Sequence, residues 1–267
     1  MEKSVGVREI QARHRAGEKI TALTAYDAAM ARLADQTGVD LLLVGDSLGM
    51  TVLGYKTTLP VTLEQSLHHT AAVVRGTRRA MVVGDMPFLT YQVSAKRALL
   101  NAGRYLQEAG AAAVKLEGGE AMAPTIGRLV EAGIPVLGHI GILPQSVLAE
   151  GGYRIHGRTR QEAERLLADA RAVERAGAFA VVLEGLPREL SARITHELSI
   201  PTVGIGAGPE CSGQIQVMHD LLGLLEDFVP RHCKPYAQLG RLAREAFKQY
   251  RDEVREGKFP GAEQTAE

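Results

Sequence analysis

Five short apolar runs, each stopping on a titratable side chain, constrain this chain more than any single motif does. They are LLLVGDS (41–47), AMVVGDM (80–86), AAVKLEG (112–118), IPVLGHIG (134–141) and FAVVLEG (179–185). Asp46, Asp85, Glu117, His139 and Glu184 stand at their tips. Continuous apolar strands of this length belong to parallel sheets covered on both faces. KITALT (19–24), PTVGIG (201–206) and a segment at 215–219 (IQVMH) bring the predicted strands to eight. Eight such strands point to the α/β class and a closed (β/α)8 TIM barrel. In that architecture the strand tips surround one mouth, and the chemistry sits there.

The intervening segments read as helices with their own punctuation. Thr159 and Glu162 form a capping box ahead of the stripe Ala163, Leu166, Leu167, Ala170, Val173, which Gly177 closes. Ser94 opens a second helix that Gly110 ends, and Thr62 with Gln65 opens a third ending near Gly76. EAGAAAVKLEG (108–118) repeats as RAGAFAVVLEG (175–185): helix end, capping glycine, strand, glutamate. Strands alternating with helices indicate βα units. A doubly wound open sheet is the architectural rival; charged tips spread over consecutive strands favour closure. The chain of 267 residues suits one barrel domain over 1–260, including a last helix at 239–260, followed by a short polar tail at 261–267.

Composition excludes several classes. Thirty-one basic and 31 acidic residues cancel, so there is no electrostatic footprint for nucleic acid. No apolar run approaches the roughly 20 residues that span a bilayer, and the first residues carry no secretory apolar core. Two cysteines, Cys211 and Cys233, fit neither a disulfide framework nor a paired zinc motif; a reduced, cytosolic protein is expected.

Side chains alternate across a strand, so Lys115 and Glu117 share a face. Val114 and Leu116 suit the helix-covered outside, which turns the charged pair into the barrel. Asp46, Asp85 and Glu117 supply three negative charges there, against Lys115 and, for balance, one divalent cation. An all-oxygen donor set suits Mg²⁺. A lone Asp after a strand is more often a turn former, but two Val-Gly-Asp tips beside Lys-Leu-Glu on a third strand are not lone. His139 differs from His68, His69, His156, His196 and His232, read as structural, because it caps a strand within Gly-His-Ile-Gly. GIGAGPECSG (204–213) fits neither a dinucleotide fingerprint nor a Walker loop. An anion-binding loop and a plain tight turn both stay open for it, and no neighbouring base in sequence activates Cys211.

Taken together, LTAYD (23–27), LLVGDSLGMTVLGYKTTLPVTLEQ (42–65), GDMPF (84–88), VKLEGG (114–119), GIPVLGHIGILPQSV (133–147), FAVVLEGLP (179–187), GIGAGPECSGQIQVMHDLLG (204–223) and KPYAQLG (234–240) resemble the ketopantoate hydroxymethyltransferase family nearly end to end. The resemblance implies a (β/α)8 barrel in pantothenate synthesis. Its reaction takes a hydroxymethyl group from 5,10-methylenetetrahydrofolate to 3-methyl-2-oxobutanoate, giving 2-dehydropantoate. It implies Mg²⁺ on Asp46 and Asp85 with Glu117 as the third acid, both aspartates also facing the substrate. By the same resemblance Ser47 and Lys115 contact the substrate carboxylate, His139 lines the pocket, and Glu184 accepts the proton. A decameric assembly is implied as well. Met86 stands where the family often has Leu, and LEGLP lacks the frequent Cys; neither change touches a charged position. The rivals are a Mg²⁺-dependent 2-oxo acid aldolase or lyase working without folate, and a ligand-binding barrel without chemistry.

Overall fold

The computed structural model describes residues 4–225 and 230–266. In chain order the elements are α1 (Val7–Arg15), β1 (Ile20–Thr24), α2 (Ala28–Gln36), β2 (Leu41–Val44), α3 (Leu48–Thr51), α4 (Leu63–Gly76), β3 (Met81–Asp85), α5 (Ala95–Gln107), β4 (Ala113–Glu117), α6 (Ala123–Glu131), β5 (Val136–Gly141), α7 (Arg160–Arg175), β6 (Ala180–Glu184), α8 (Arg188–Glu197), β7 (Thr202–Ile205), β8 (Gly213–Gln216), α9 (Met218–Leu221) and α10 (Leu239–Arg255). The strands pair in parallel in sequence order, and Ile20 of β1 meets Gly213 of β8 to close the barrel. The expected closed barrel is the observed one. Two compact units are distinguished, Met1–Val217 and Met218–Glu267, and every strand lies in the first. Among the described residues no helix is long and apolar enough to cross a membrane.

Alternation along the strands produces two apolar layers. Ile20, Ala22, Leu41, Leu43, Met81, Val83, Ala113, Leu137, Val182 and Val203 fill the barrel, and Ile10 of α1 packs with them. Val114, Leu116, Val136, Val181 and Leu183 belong instead to the layer under the helices, with Ile126, Leu167 and Val173. The assignment of Val114 and Leu116 to the outside, and of Lys115 and Glu117 to the inside, therefore stands. Helix starts follow the sequence signals: Thr62, Ser94 and Thr159 each accept a hydrogen bond from the amide three residues on. Gly110 and Gly177 follow their helices with positive φ (75° and 91°).

Two expectations need correction. The last strand is Gly213–Gln216, two residues earlier than 215–219, and Met218–Leu221 is a short helix. Only alternate residues of this strand are buried, so its apolar signal is weak in sequence. The β7–β8 connection, residues 206–212, crosses as a loop, as expected of the glycine-rich segment 204–213. The last long helix stops at Arg255, where Gly257 (φ 69°) turns the chain, rather than reaching 260. The expected polar tail carries a 3-10 turn at Ala262–Gln264; its last residue, 267, lies outside the described residues.

Close approach at two glycines positions the site. A Cβ at Gly84 would lie 2.2 Å from the ring of Tyr105, so α5 rests directly on β3 beside Asp85. Gly141 (φ 103°) lets the end of β5 meet β6, since a Cβ there would lie 2.2 Å from the Glu184 carbonyl oxygen.

Candidate active site

Strand register brings the charged tips together. Asp85 pairs with Lys115, Glu117 with His139, and Gly141 with Glu184. Val44 pairs with Gly84, which puts the turn after β2 beside Asp85, and the Asp46 amide donates to Asp85 Oδ2 (3.2 Å). Asp46, Asp85, Lys115, Glu117 and His139 are all buried, whereas Ser47 and Glu184 are partly open to solvent. Every charged position picked out from the sequence thus stands at the same mouth.

The charges divide unequally. Lys115 Nζ donates to both Asp85 oxygens (2.9 and 2.8 Å) and stands 3.8 Å from Glu117 Oε1. His139 lies between two acids, its Nδ1 3.5 Å from Glu117 Oε1 and its Nε2 3.2 Å from Glu184 Oε2. Neither ring nitrogen is aligned for a hydrogen bond, and buried Glu117 Oε1 accepts none from the described residues. The histidine therefore holds its acids by charge rather than by directed bonds. Although burial works against its charge, the carboxylates of Glu117 and Glu184 raise its pKa to about 9. Burial lowers the Lys115 pKa too, but Asp85, Glu117 and Asp46 outweigh it and the net shift is upward. Burial would raise Glu117, yet His139 and Lys115 bring it below the usual carboxylate range.

Asp46 receives no cation of its own. Gln145 Nε2 donates to its Oδ2 (3.0 Å). Burial and the Asp85 charge push its carboxyl up to about 7. Asp85 is raised as well, first by burial. Among the described residues no three His, Cys, Asp or Glu side chains are grouped to hold a metal by themselves. Mg²⁺ needs only one or two carboxylates, with water or substrate in its other positions, a demand that the oxygens of Asp46 and Asp85 could meet. The raised Asp46 beside the raised Asp85 marks where positive charge is lacking.

Two contributors escaped the sequence analysis. Gln145 is 5% exposed and ties the mouth together. Its amide donates to Glu117 Oε2 (3.1 Å), its Nε2 also reaches the Met86 carbonyl (3.0 Å), and its Oε1 accepts from Tyr91 OH (2.7 Å). Tyr91 OH in turn accepts from the Glu117 amide (3.1 Å). Both lie in connections after strands, Gln145 within a 3-10 turn at Pro144–Ser146, where no period marks them; the one available signal was a polar residue directly after Pro144. Ser47 Oγ is 2.8 Å from Tyr26 OH. The glycine-rich loop at 204–213 is held from below: Lys19 Nζ donates to the carbonyls of Pro209 (3.0 Å) and Cys211 (2.6 Å). Cys211 is buried in the outer layer, where burial raises its thiol pKa.

The arrangement can bind an anionic, oxygen-rich molecule at Lys115 and a cation beside Asp46, and can move a proton at Glu184. The chain matches the family model described as ketopantoate hydroxymethyltransferase over residues 4–262. It is 59% identical over 262 residues to a 3-methyl-2-oxobutanoate hydroxymethyltransferase of Chloroflexus aurantiacus, covering 98% of this chain and 92% of that one. It is 54% identical to the protein of the same name from Moorella thermoacetica, covering 97% and 96%. Among solved structures it is similar in fold to a phosphonopyruvate hydrolase complexed with oxalate and Mg²⁺ (TM-score 0.63, 15% identity, 96% and 89% covered). A 2,3-dimethylmalate lyase is similar too (TM-score 0.62, 19% identity, 97% and 91% covered). The chain belongs to the ketopantoate hydroxymethyltransferase family.

Proposed function

We propose that this enzyme transfers a hydroxymethyl group from 5,10-methylenetetrahydrofolate to 3-methyl-2-oxobutanoate, giving 2-dehydropantoate for pantothenate synthesis. The observation that carries the assignment of roles is the contrast in exposure at the mouth. The side chains of Lys115, Asp85, Glu117 and His139 are 5% exposed or less, whereas that of Glu184 is 21% exposed. The buried set binds and orients; Glu184 meets what enters.

Lys115 and Ser47 hold the substrate carboxylate, with His139 lining the pocket. Asp46 and Asp85, with Glu117 as the third acid, would hold Mg²⁺, which supplies Lewis-acid stabilisation of the charge developing on the keto oxygen. Glu184 then takes the C3 proton as general base. The electron pair left at C3 forms the new bond to the folate-borne methylene carbon as one of its C–N bonds breaks, that nitrogen taking up the proton removed from C3. Water then replaces the second nitrogen, its oxygen becoming the product hydroxyl and its proton going to the nitrogen of the released tetrahydrofolate. His139 Nε2 lies 3.2 Å from Glu184 Oε2 and keeps that side chain at the mouth. The family resemblance also supports a homodecamer working in the cytosol.

The test is stoichiometric. With Mg²⁺, 3-methyl-2-oxobutanoate and methylenetetrahydrofolate, tetrahydrofolate and 2-dehydropantoate should form in equal amounts. Cleavage of a 2-oxo acid without folate consumption would replace this reading with a lyase, and binding without turnover with a carrier barrel.

A further inference from the structure

A cavity of about 500 Å³ opens beside the loop that follows β6, lined by Gly157, Arg158, Arg160, Pro187, Glu189 and Arg193 among others. Pro187 lies three residues past Glu184, the last residue of β6, so the cavity shares a wall with the loop that follows the general base. Its three guanidinium groups are not equivalent. Arg193 is held by Glu164 and Glu197, each at 2.9 Å. Glu162, the acid nearest in sequence to the other two, is taken by Arg154 and by the amides of Arg158 and Thr159. Among the described residues no carboxylate pairs with the side chains of Arg158 or Arg160, and Glu189 is the one acid in the lining.

Helix stability does not account for the pair. Arg158 and Arg160 flank the start of α7, where positive charge opposes the helix dipole. A smaller cavity of about 320 Å³ also has arginines, but Arg75 there lies in the last turn of α4, where the dipole favours it.

The segment 142–159 joins this cavity to the catalytic mouth. Gln145 stands at one end against Asp46, and Arg158 at the other. Between them Leu148, Tyr153 and Ile155 expose apolar surface (77, 53 and 43%). Tyr153 is near enough to the mouth that, after burial, the charges of Asp46, Glu184 and Glu117 raise its hydroxyl pKa. A reactive mouth, an apolar and aromatic stretch and two unpaired cations follow one another. A folate presents a matching series: a reactive pterin, a benzoyl ring and glutamyl carboxylates.

The geometry points to this cavity as the subsite for the glutamyl tail of the folate co-substrate, with Arg158 and Arg160 taking its carboxylates. The assignment rests on the transferase reading above. Steady-state kinetics of the whole enzyme with methylenetetrahydrofolate carrying one or five glutamates tests it. Wild type should show a folate KM about tenfold lower for the longer tail, as charge-assisted contacts to guanidinium groups allow. Arg158→Ala/Arg160→Ala should lose that preference, with an unaltered KM for the oxo acid and an unaltered circular dichroism spectrum. A preference that survives in the double variant, or equal KM values for both tails in wild type, would overturn the subsite. Failure of the transferase reading itself would look different, because no folate of either length would then be consumed.

Discussion

At the residue scale, the mouth is a set of charges of which only Asp46 goes without a basic partner. Lys115 and His139 share Asp85, Glu117 and Glu184 between them, and Gln145 bridges what is left. Gln145 is therefore a positioning residue. Gln145→Ala should lower stability by about 1–3 kcal/mol, because Tyr91 OH and the Met86 carbonyl lose a buried partner. It should also reduce kcat/KM by roughly tenfold or more, as Asp46 and the loop move. Urea unfolding and initial rates check this; wild-type values in both would contradict the role. The charged residues were legible because apolar strands announce their tips, and a period of two tells Lys115 from Leu116. Gln145 and Tyr91 were not, since loop residues carry no such rhythm and their meaning comes from partners on other loops.

At the scale of elements, strand and helix are locked by a few close contacts. Tyr105 lies against Gly84, and its hydroxyl donates to the Asp85 carbonyl (2.7 Å), fixing the tip of β3. Gly84→Ala should cost about 1–3 kcal/mol through overpacking, read as a lower urea midpoint. An unchanged midpoint would mean that α5 is free to shift. At the start of β3, Asp35 accepts from the amides of Arg78, Arg79 and Ala80 (2.9, 3.1 and 2.7 Å). Burial opposes its charge, but these amides outweigh it and bring its pKa below the ordinary value. A lowered pKa means that the folded state binds fewer protons, so the stabilisation is present above the ordinary range and disappears as pH falls. Asp35→Ala should lose about 1–2 kcal/mol at pH 7, and the gap to wild type should close below about pH 4. A gap independent of pH would contradict it. Seven strands were legible from apolar runs or flanking glycines, with ends within three residues. The eighth was misplaced because Gln214 and Gln216 interrupt its apolar pattern.

At the scale of the barrel, its two ends do different work. Near the strand starts, Ile10 of α1 packs into the interior, and Arg13 (3.3 Å) and Arg79 (3.1 Å) hold Asp40. At the other end the strand tips carry charge that folding alone does not favour, since buried acids stabilise little even when paired. Closure of the barrel makes that concentration possible: residues from 46 to 184 in sequence become neighbours around one rim. This much followed from counting strands and reading their ends. The division of labour among the acids did not, because it depends on which of them Lys115 and His139 reach.

The central claim is that Glu184 takes a proton from C3 of the oxo acid at this rim. Deuterium wash-in at C3 of 3-methyl-2-oxobutanoate, in D₂O with Mg²⁺ and no folate, measures that step alone. Wild type should exchange, and Glu184→Gln should do so at least about 100-fold more slowly, with a similar dissociation constant for the oxo acid. Equal exchange in both proteins, or none in wild type, would contradict it.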